Sequence, residues 1–292
     1  MKTAFRAKQP YADIFLRCAK EFVCNSPVRP ERFIRTMREN QGSIAGPTGP
    51  GLDENGLERK NPVIVALGDS VTAGHFESLF PSDPDAMKQF MQRMDALRQA
   101  GKPTPVEITD ARESYIEKFR FGLIDLFETT SVSVINAGIA GDHLISMVKR
   151  ADRDVIRYQP DLVLINGSLN WGEDKGTTAE YKQILIDLVR KIKSETQADI
   201  ILLTPNGDLP LDGPFFQKMG IPVRIPTTPE RVAAIREIAT EEQVCLADTY
   251  AVWEMAREQG CPWKEILSNG FNHPGVEGHE VYAEVLMKLF RN

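Results

Sequence analysis

A three-layer α/β/α sandwich on a five-stranded parallel sheet, preceded by a helical extension, is the fold that the sequence predicts. Three observations lead there. Five short, nearly uninterrupted apolar runs recur along the chain, stretches of helical periodicity lie between them, and a Gly- and Pro-rich segment without periodicity sets the first sixty residues apart. At 292 residues and 42% apolar content, the chain is long enough to bury one sizeable core.

The extension comes first. Ile14, Phe15, Cys18, Ala19, Phe22 and Val23 recur at helical spacing, and Phe33, Ile34 and Met37 mark a second short helix. The stretch QGSIAGPTGPGLDENGLERKNP (41–62) reads as a long connection, so residues 1–60 form an extension and linker and 61–292 the main domain. There the runs VIVAL (63–67), SVSVIN (131–136), DLVLIN (161–166), DIILL (199–203) and QVCLA (243–247) have the continuous apolar character of strands covered on both faces. Between them Tyr115, Phe119, Leu123 and Leu126 share a helix face, as do Tyr181, Leu185, Leu188 and Ile192. Val232, Ile235 and Ala239 form another after Pro229. Two insertions, near 76–110 and 204–228, break the alternation. Each leaves the carboxyl end of a strand, where open α/β sheets build their sites, and both are expected to wall a pocket.

Composition excludes several partners. Forty-one acidic against 35 basic residues give a net charge of −6, scattered along the chain, which argues against nucleic acid. Cys18, Cys24, Cys245 and Cys261 show no CxxC pair, so buried thiols of a reducing compartment are expected, with a Cys18–Cys24 bridge as the alternative. The amino terminus lacks the apolar run of a signal peptide, and no stretch approaches a membrane span of ~20 apolar residues. A cytoplasmic protein is the default expectation.

Four stretches at strand ends carry side chains suited to chemistry. In GDSVTAG, Ser70 sits on a glycine-flanked turn where its hydroxyl can reach a cleft and its N–H can serve as a donor; the bland alternative is a helix cap. In NAGIAGDHL, Gly138 or Gly141 can direct an N–H at a substrate oxygen, or simply form a turn. In NGSLNWGED, Asn170 offers an amide donor or an Asx turn. In NGFNHPGVEGHEVYAEVL, His273 lies in a loop before an amphipathic helix, as a base or as a solvated surface residue.

Together and in order, these stretches resemble the SGNH, or GDSL-type, hydrolases. GDSV matches the nucleophile block, NAGIAGD the glycine block, SLNW the asparagine block and NHPGVEGH the histidine block. The resemblance implies a flavodoxin-like SGNH hydrolase fold, with Ser70 as nucleophile and His273 as base. It also implies an oxyanion hole made of the Ser70 and Gly141 N–H groups and the Asn170 side chain. Gly141 is preferred to Gly138 because it precedes an acid, Asp142.

Two blocks depart from the family pattern. Ser168-Leu169-Asn170-Trp171 replaces Gly-x-Asn-Asp, and Trp171 is read either as a substrate wall or as a packed edge residue. The family usually carries an aspartate three or four residues before the histidine, whereas here Gly270 and Asn269 stand there. Asn269 is either a natural replacement leaving a slow or dyad-type enzyme, or an engineered change, or another carboxylate, such as Asp142, Asp248 or Glu277, reaches His273 instead. On the first two readings Asn269→Asp raises activity. The Asn269-Gly270 pair is also a candidate for deamidation, which would regenerate an acid. Asp69 and His143 join Trp171 as candidate substrate contacts, while His75 is read as a turn or surface residue and His279 as structural.

The expected activity is a serine esterase acting on a small-molecule ester through an acyl-enzyme, without cofactor or metal, and a homo-oligomer is left open. Short acyl groups such as acetate, on a carbohydrate or another small molecule, are favoured over lipid or thioester substrates. A binding protein that has lost catalysis on the same scaffold is the competing reading.

Overall fold

Every apolar run becomes a strand of one parallel sheet. The computed structural model describes residues 7–40, 61–79, 84–104, 107–128, 131–172, 174–210 and 226–291. Within it β1 (Val63–Gly68), β4 (Ser133–Gly138), β5 (Leu162–Asn166), β6 (Asp199–Leu203) and β7 (Cys245–Ala247) lie in the order β4-β1-β5-β6-β7. Val65 pairs with Ile135 on one side and Val163 on the other, so β1 occupies an interior position. Counting these five alone gives the order 2-1-3-4-5, whose reversal point falls beside the first strand.

Alternate strand residues serve opposite cores, which explains why the runs are continuously apolar. Ile64, Ala66, Leu162, Leu164, Ile201 and Leu203 pack against α1 (Gln9–Glu21), α2 (Glu31–Glu39), α5 (Tyr115–Phe127), α9 (Thr249–Glu258) and α10 (Val276–Met287). Val65, Leu67, Val163, Ile165, Ile200 and Leu202 pack against α6 (Leu144–Asp154), α7 (Thr178–Glu195) and α8 (Thr228–Glu241). The extension is part of the first layer. Phe15 meets Trp253 edge-on at 4.8 Å between ring centres, and Phe33 meets Phe290 at 5.9 Å.

Local signals set the helix ends. Ser114 caps α5 by accepting the Glu117 N–H, and Thr177 with Glu180 forms a reciprocal capping box on α7. One helical face differs from expectation. Leu126 is 39% exposed and Phe127 takes the buried place, because Tyr115, Phe119, Leu123 and Phe127 form an unbroken i, i+4 row. All four cysteines are free thiols. Among the described residues no helix is long and apolar enough to cross a membrane.

The first insertion holds more than its helix α4 (Pro84–Gln99). Around it β2 (His75–Ser78) and β3 (Glu107–Thr109) pair antiparallel, with Ser78 opposite Glu107 and His75 opposite Thr109. The Asp110 N–H donates to Gly74 O at 3.0 Å and closes the base of this unit against α3 (Ser70–Ala73). Of the second insertion, 211–225 lies outside the described residues. Its first part supports the loop that carries His273: Asn206 Nδ2 donates to Asn272 O at 2.9 Å and the Leu209 N–H to Phe271 O at 2.7 Å.

Candidate active site

Ser70 begins α3 directly beyond β1. The preceding Asp69 accepts the Val71 N–H at 3.0 Å and so turns the chain from strand to helix, while α3 ends at Gly74, whose φ of 95° favours glycine. Gly68 is required by close approach, since a Cβ there would fall 2.0 Å from Thr72 Oγ1. The turn leaves Ser70 4% exposed, with its side chain directed at the loop before α10.

In that loop His273 Nε2 lies 2.8 Å from Ser70 Oγ, although the residues are 203 positions apart. Its other ring nitrogen, Nδ1, lies 2.6 Å from Glu107 Oε1. A carboxylate only accepts, so Nδ1 carries the proton and Nε2 is free to accept from the serine hydroxyl. The carboxylate that meets the His273 ring is Glu107, at the start of β3, on the insertion. Another carboxylate thus reaches His273, but it is none of the three named from sequence: Asp142 is held by Arg150 and Asp248 by Arg236, while Glu277 is buried elsewhere on α10. Burial alone would raise the Glu107 carboxyl, but the hydrogen bond and charge of His273, with help from His75 and Asn269, outweigh it and leave the pKa below its ordinary value.

Asn269 has a different part from the one its position suggested. Its Oδ1 accepts the N–H groups of Phe271, Asn272 and His273 at 3.2, 3.0 and 3.0 Å, folding the loop around Gly270 at φ 77°. Its Nδ2 donates to Glu107 Oε1 at 3.0 Å and to Asn272 Oδ1 at 2.9 Å. The amide thus meets the carboxylate, not the imidazole. These bonds also oppose deamidation, which needs the Gly270 nitrogen to attack the Asn269 side chain; the Gly270 N–H instead donates to Leu267 O at 3.1 Å.

The third strand end faces the glycine loop. Asn170 Nδ2 donates to Asp142 O at 2.9 Å, next to Gly141. Gly141 has φ 74°, and a Cβ built on it would meet nothing within 4 Å, so this side of the loop is open. Gly138 has the opposite character: a Cβ there would stand 2.3 Å from Ala73 N, which makes it a packing glycine. A residue not anticipated from sequence holds these parts in place. Buried Arg150 on α6 donates to Asp142 Oδ2 at 2.7 Å, Ala137 O at 2.7 Å and Gly68 O at 3.0 Å, joining the ends of β1 and β4 to the loop.

The remaining candidates divide. Trp171 is 2% exposed, donates through Nε1 to Gly176 O at 3.0 Å and packs edge-on to Tyr181, so it is a core residue with no surface to offer a substrate. Asp69 is fully buried in the turn it caps, where burial raises its carboxyl to about 6. His143 is half-buried at the start of α6, two residues beyond Gly141, where its N–H donates to Asp142 Oδ1 at 3.0 Å.

His75 and His279 stand behind the site. His75 Nδ1 donates to Ser70 O at 3.0 Å, and its Nε2 lies 3.8 Å from Glu107 Oε2. His279 is fully buried, donates from Nε2 to His75 O at 2.9 Å and accepts the Tyr115 N–H at Nδ1; burial lowers its pKa to about 4.

Solved structures with the same architecture include an acetylxylan esterase, Axe2, from Geobacillus stearothermophilus. It is 20% identical, with a TM-score of 0.54 over 79% of this chain and 94% of that one. A lipase/acylhydrolase from Enterococcus faecalis is 22% identical with a TM-score of 0.53, covering 78% and 95% of the two chains. LAE5, an α/β hydrolase from the metagenome of Lake Arreo, Spain, is 18% identical with a TM-score of 0.54 over 79% and 97%. At these identities the likeness establishes the fold. No curated protein matched the sequence. The sequence does match the GDSL-like Lipase/Acylhydrolase family across residues 66–281, a span that holds Ser70, Glu107, Gly141, Asn170 and His273, and the chain belongs to that family.

Proposed function

We propose that the protein is a serine esterase that hydrolyses carboxylic esters through an acyl-enzyme. The observation that carries this reading is the unbroken chain Ser70 Oγ, His273 Nε2, His273 Nδ1, Glu107 Oε1, with hydrogen-bond distances of 2.8 and 2.6 Å. Ser70 attacks the ester carbonyl while His273 takes its proton, and Glu107 stabilises the resulting imidazolium and fixes the tautomer. The imidazolium then protonates the departing alcohol. Water repeats the sequence with the same base, forming the carboxylic acid and freeing Ser70.

The negative oxygen of each tetrahedral intermediate is received by the Ser70 N–H, the Gly141 N–H and Asn170 Nδ2. Ser70 opens α3, so its N–H has no partner within the helix. Asn170 spends one amide hydrogen on Asp142 O and has a second to offer. Each such donor contributes ~3 kcal/mol. His143, beside this loop, is the remaining candidate for substrate contact.

We infer a short acyl group, acetate above all, borne on a carbohydrate or another small molecule. Support comes from the likeness to an acetylxylan esterase. Longer acyl chains or a thioester are the alternatives. The competing reading as a catalytically lapsed binding protein drew on the missing aspartate and the altered third block; Glu107 at 2.6 Å from His273 weighs against the first of these.

Hydrolysis of p-nitrophenyl acetate, butyrate and octanoate by the wild type, Ser70→Ala and Glu107→Gln tests both parts. Ser70→Ala should abolish turnover, and Glu107→Gln should lower kcat by ~10⁴, the scale of the same acid-to-amide change in serine proteases. Activity that survives in Ser70→Ala refutes the mechanism, and a preference for octanoate refutes the short acyl group.

A further inference from the structure

Glu107 uses its two carboxylate oxygens differently. Oε1 receives His273 Nδ1 and Asn269 Nδ2. Oε2 faces the edge of the His75 ring, 3.8 Å from Nε2. That ring is anchored at its other nitrogen to Ser70 O at 3.0 Å, and the backbone oxygen of His75 takes the buried His279 Nε2–H at 2.9 Å. One imidazole therefore stands between the segment that carries the nucleophile and the carboxylate that serves its base, with its centre 5.5 Å from that of His273.

We propose that His75 is a positioning residue that holds the Glu107 carboxylate on His273. The role rests on the reading of Ser70, His273 and Glu107 as the reacting set.

The geometry explains why a ring of this kind suits the place. Because Nδ1 donates to a carbonyl, the neutral ring presents a lone pair at Nε2, and 3.8 Å is too long for a hydrogen bond to Oε2. The ring thus fences the carboxylate without drawing its charge away from His273. It limits rotation of the carboxylate and the approach of water to Oε2. The titratable groups around it are Glu107 on β3, His273 on its loop and His279 on α10. Burial lowers the pKa of His75 despite Glu107, which favours the neutral ring. The β2–β3 pairing gives the arrangement its leverage, since His75 and Glu107 lie on facing strands with an irregular register between His75 and Glu77.

A double-mutant cycle tests this. His75→Asn keeps an amide donor near Ser70 O but removes the ring edge beside Glu107. We compare kcat and KM for p-nitrophenyl acetate in the wild type, His75→Asn, Glu107→Gln and the double variant. The proton on His273 Nδ1 is followed by ¹H NMR in the same proteins, a measurement that needs no turnover. Should His75→Asn melt early, His75→Gln, which also lacks the ring, takes its place in the cycle.

His75→Asn is expected to lower kcat on the order of 10-fold with KM unchanged, within the cost of shifting a reacting group by a fraction of an ångström. The loss should vanish in the Glu107→Gln background. The low-field Nδ1–H resonance should broaden or move upfield in His75→Asn. Additive losses in the double variant, or an unaltered resonance in a folded single variant, would overturn the proposal. An inactive wild type whose Glu107-dependent resonance still responds to His75→Asn would sink the hydrolase reading and support the positioning role.

Discussion

Asn269→Asp returns to the His273 loop the acid that is usual in the family, and by sequence alone it should speed the enzyme. The structure predicts the opposite. Asn269 Nδ2 donates to Glu107 Oε1 across 3.0 Å, so an aspartate oxygen in its place would face another carboxylate oxygen at that distance. Two unit charges at 3.0 Å repel by about 5–6 kcal/mol at an effective dielectric of 20. The pair can escape by retaining a proton. Keeping the introduced aspartyl carboxyl, with an ordinary pKa of about 3.9, protonated at pH 7 costs about 4 kcal/mol, and this smaller figure governs. The expected result at pH 7 is a fall in Tm on the order of 10 °C. With Glu107 displaced or sharing a proton, kcat should fall on the order of 10-fold. Thermal melts and pH–rate profiles with p-nitrophenyl acetate, for Asn269→Asp alone and combined with Glu107→Gln, measure both. A higher kcat in Asn269→Asp, with Glu107→Gln harmless in that background, would refute the placement of the acid on β3.

Three other outcomes are expected. Arg150→Met leaves the Asp142 carboxylate buried without its partner and removes the link to Gly68 O and Ala137 O, so urea unfolding should show a loss of about 3–5 kcal/mol, with a lowered kcat in the protein that remains folded. His279 is held neutral with a pKa of about 4, below that of the unfolded chain; its contribution is present above the unfolded value and is lost as pH falls towards 4, by about 3 kcal/mol. Urea unfolding should therefore be less pH-dependent between pH 7 and 4 in His279→Gln, and an unchanged dependence would show that the imidazole titrates freely. Peptide mapping after prolonged incubation should find Asn269 intact in the folded protein and converted in the urea-unfolded one; equal conversion in both states would contradict the locked amide.

What the sequence revealed and what it concealed follow from the range of the interactions. The strands were legible because burial on both faces writes an unbroken apolar run into five or six neighbouring residues. Ser70, Asn170 and His273 were legible because each stands at a strand end or before a helix with a recognisable local pattern. Glu107 was not. It begins a three-residue strand after a helix within an insertion, and it reaches His273 only through the pairing of β3 with β2 and the docking of both beside the sheet. One signal was available. The alternation in Glu107-Ile108-Thr109, β-branched and just ahead of the turn at Asp110, marks a short strand whose acid was still unassigned. Arg150 was hidden for a related reason, because a basic residue on an amphipathic helix reads as solvated until its attachments to Asp142, Asp154 and two strand-end carbonyls are seen. Trp171 was left open between a substrate wall and a packed residue, because adjacency to the asparagine block does not say which way a ring points; the turn at Ser168 directs it inward to Tyr181.

The location of the acid changes what counts as the smallest working version of this protein. An engineer paring the chain down to the five strands and their covering helices would discard 76–110 as decoration and, with it, the carboxylate that meets His273. On the mechanism proposed above, the product would keep serine and histidine in register and still be a poor catalyst. Conversely, grafting this hairpin onto a relative whose own loop aspartate has been removed offers a way to move a catalytic charge between separate parts of a chain while the nucleophile stays where it is.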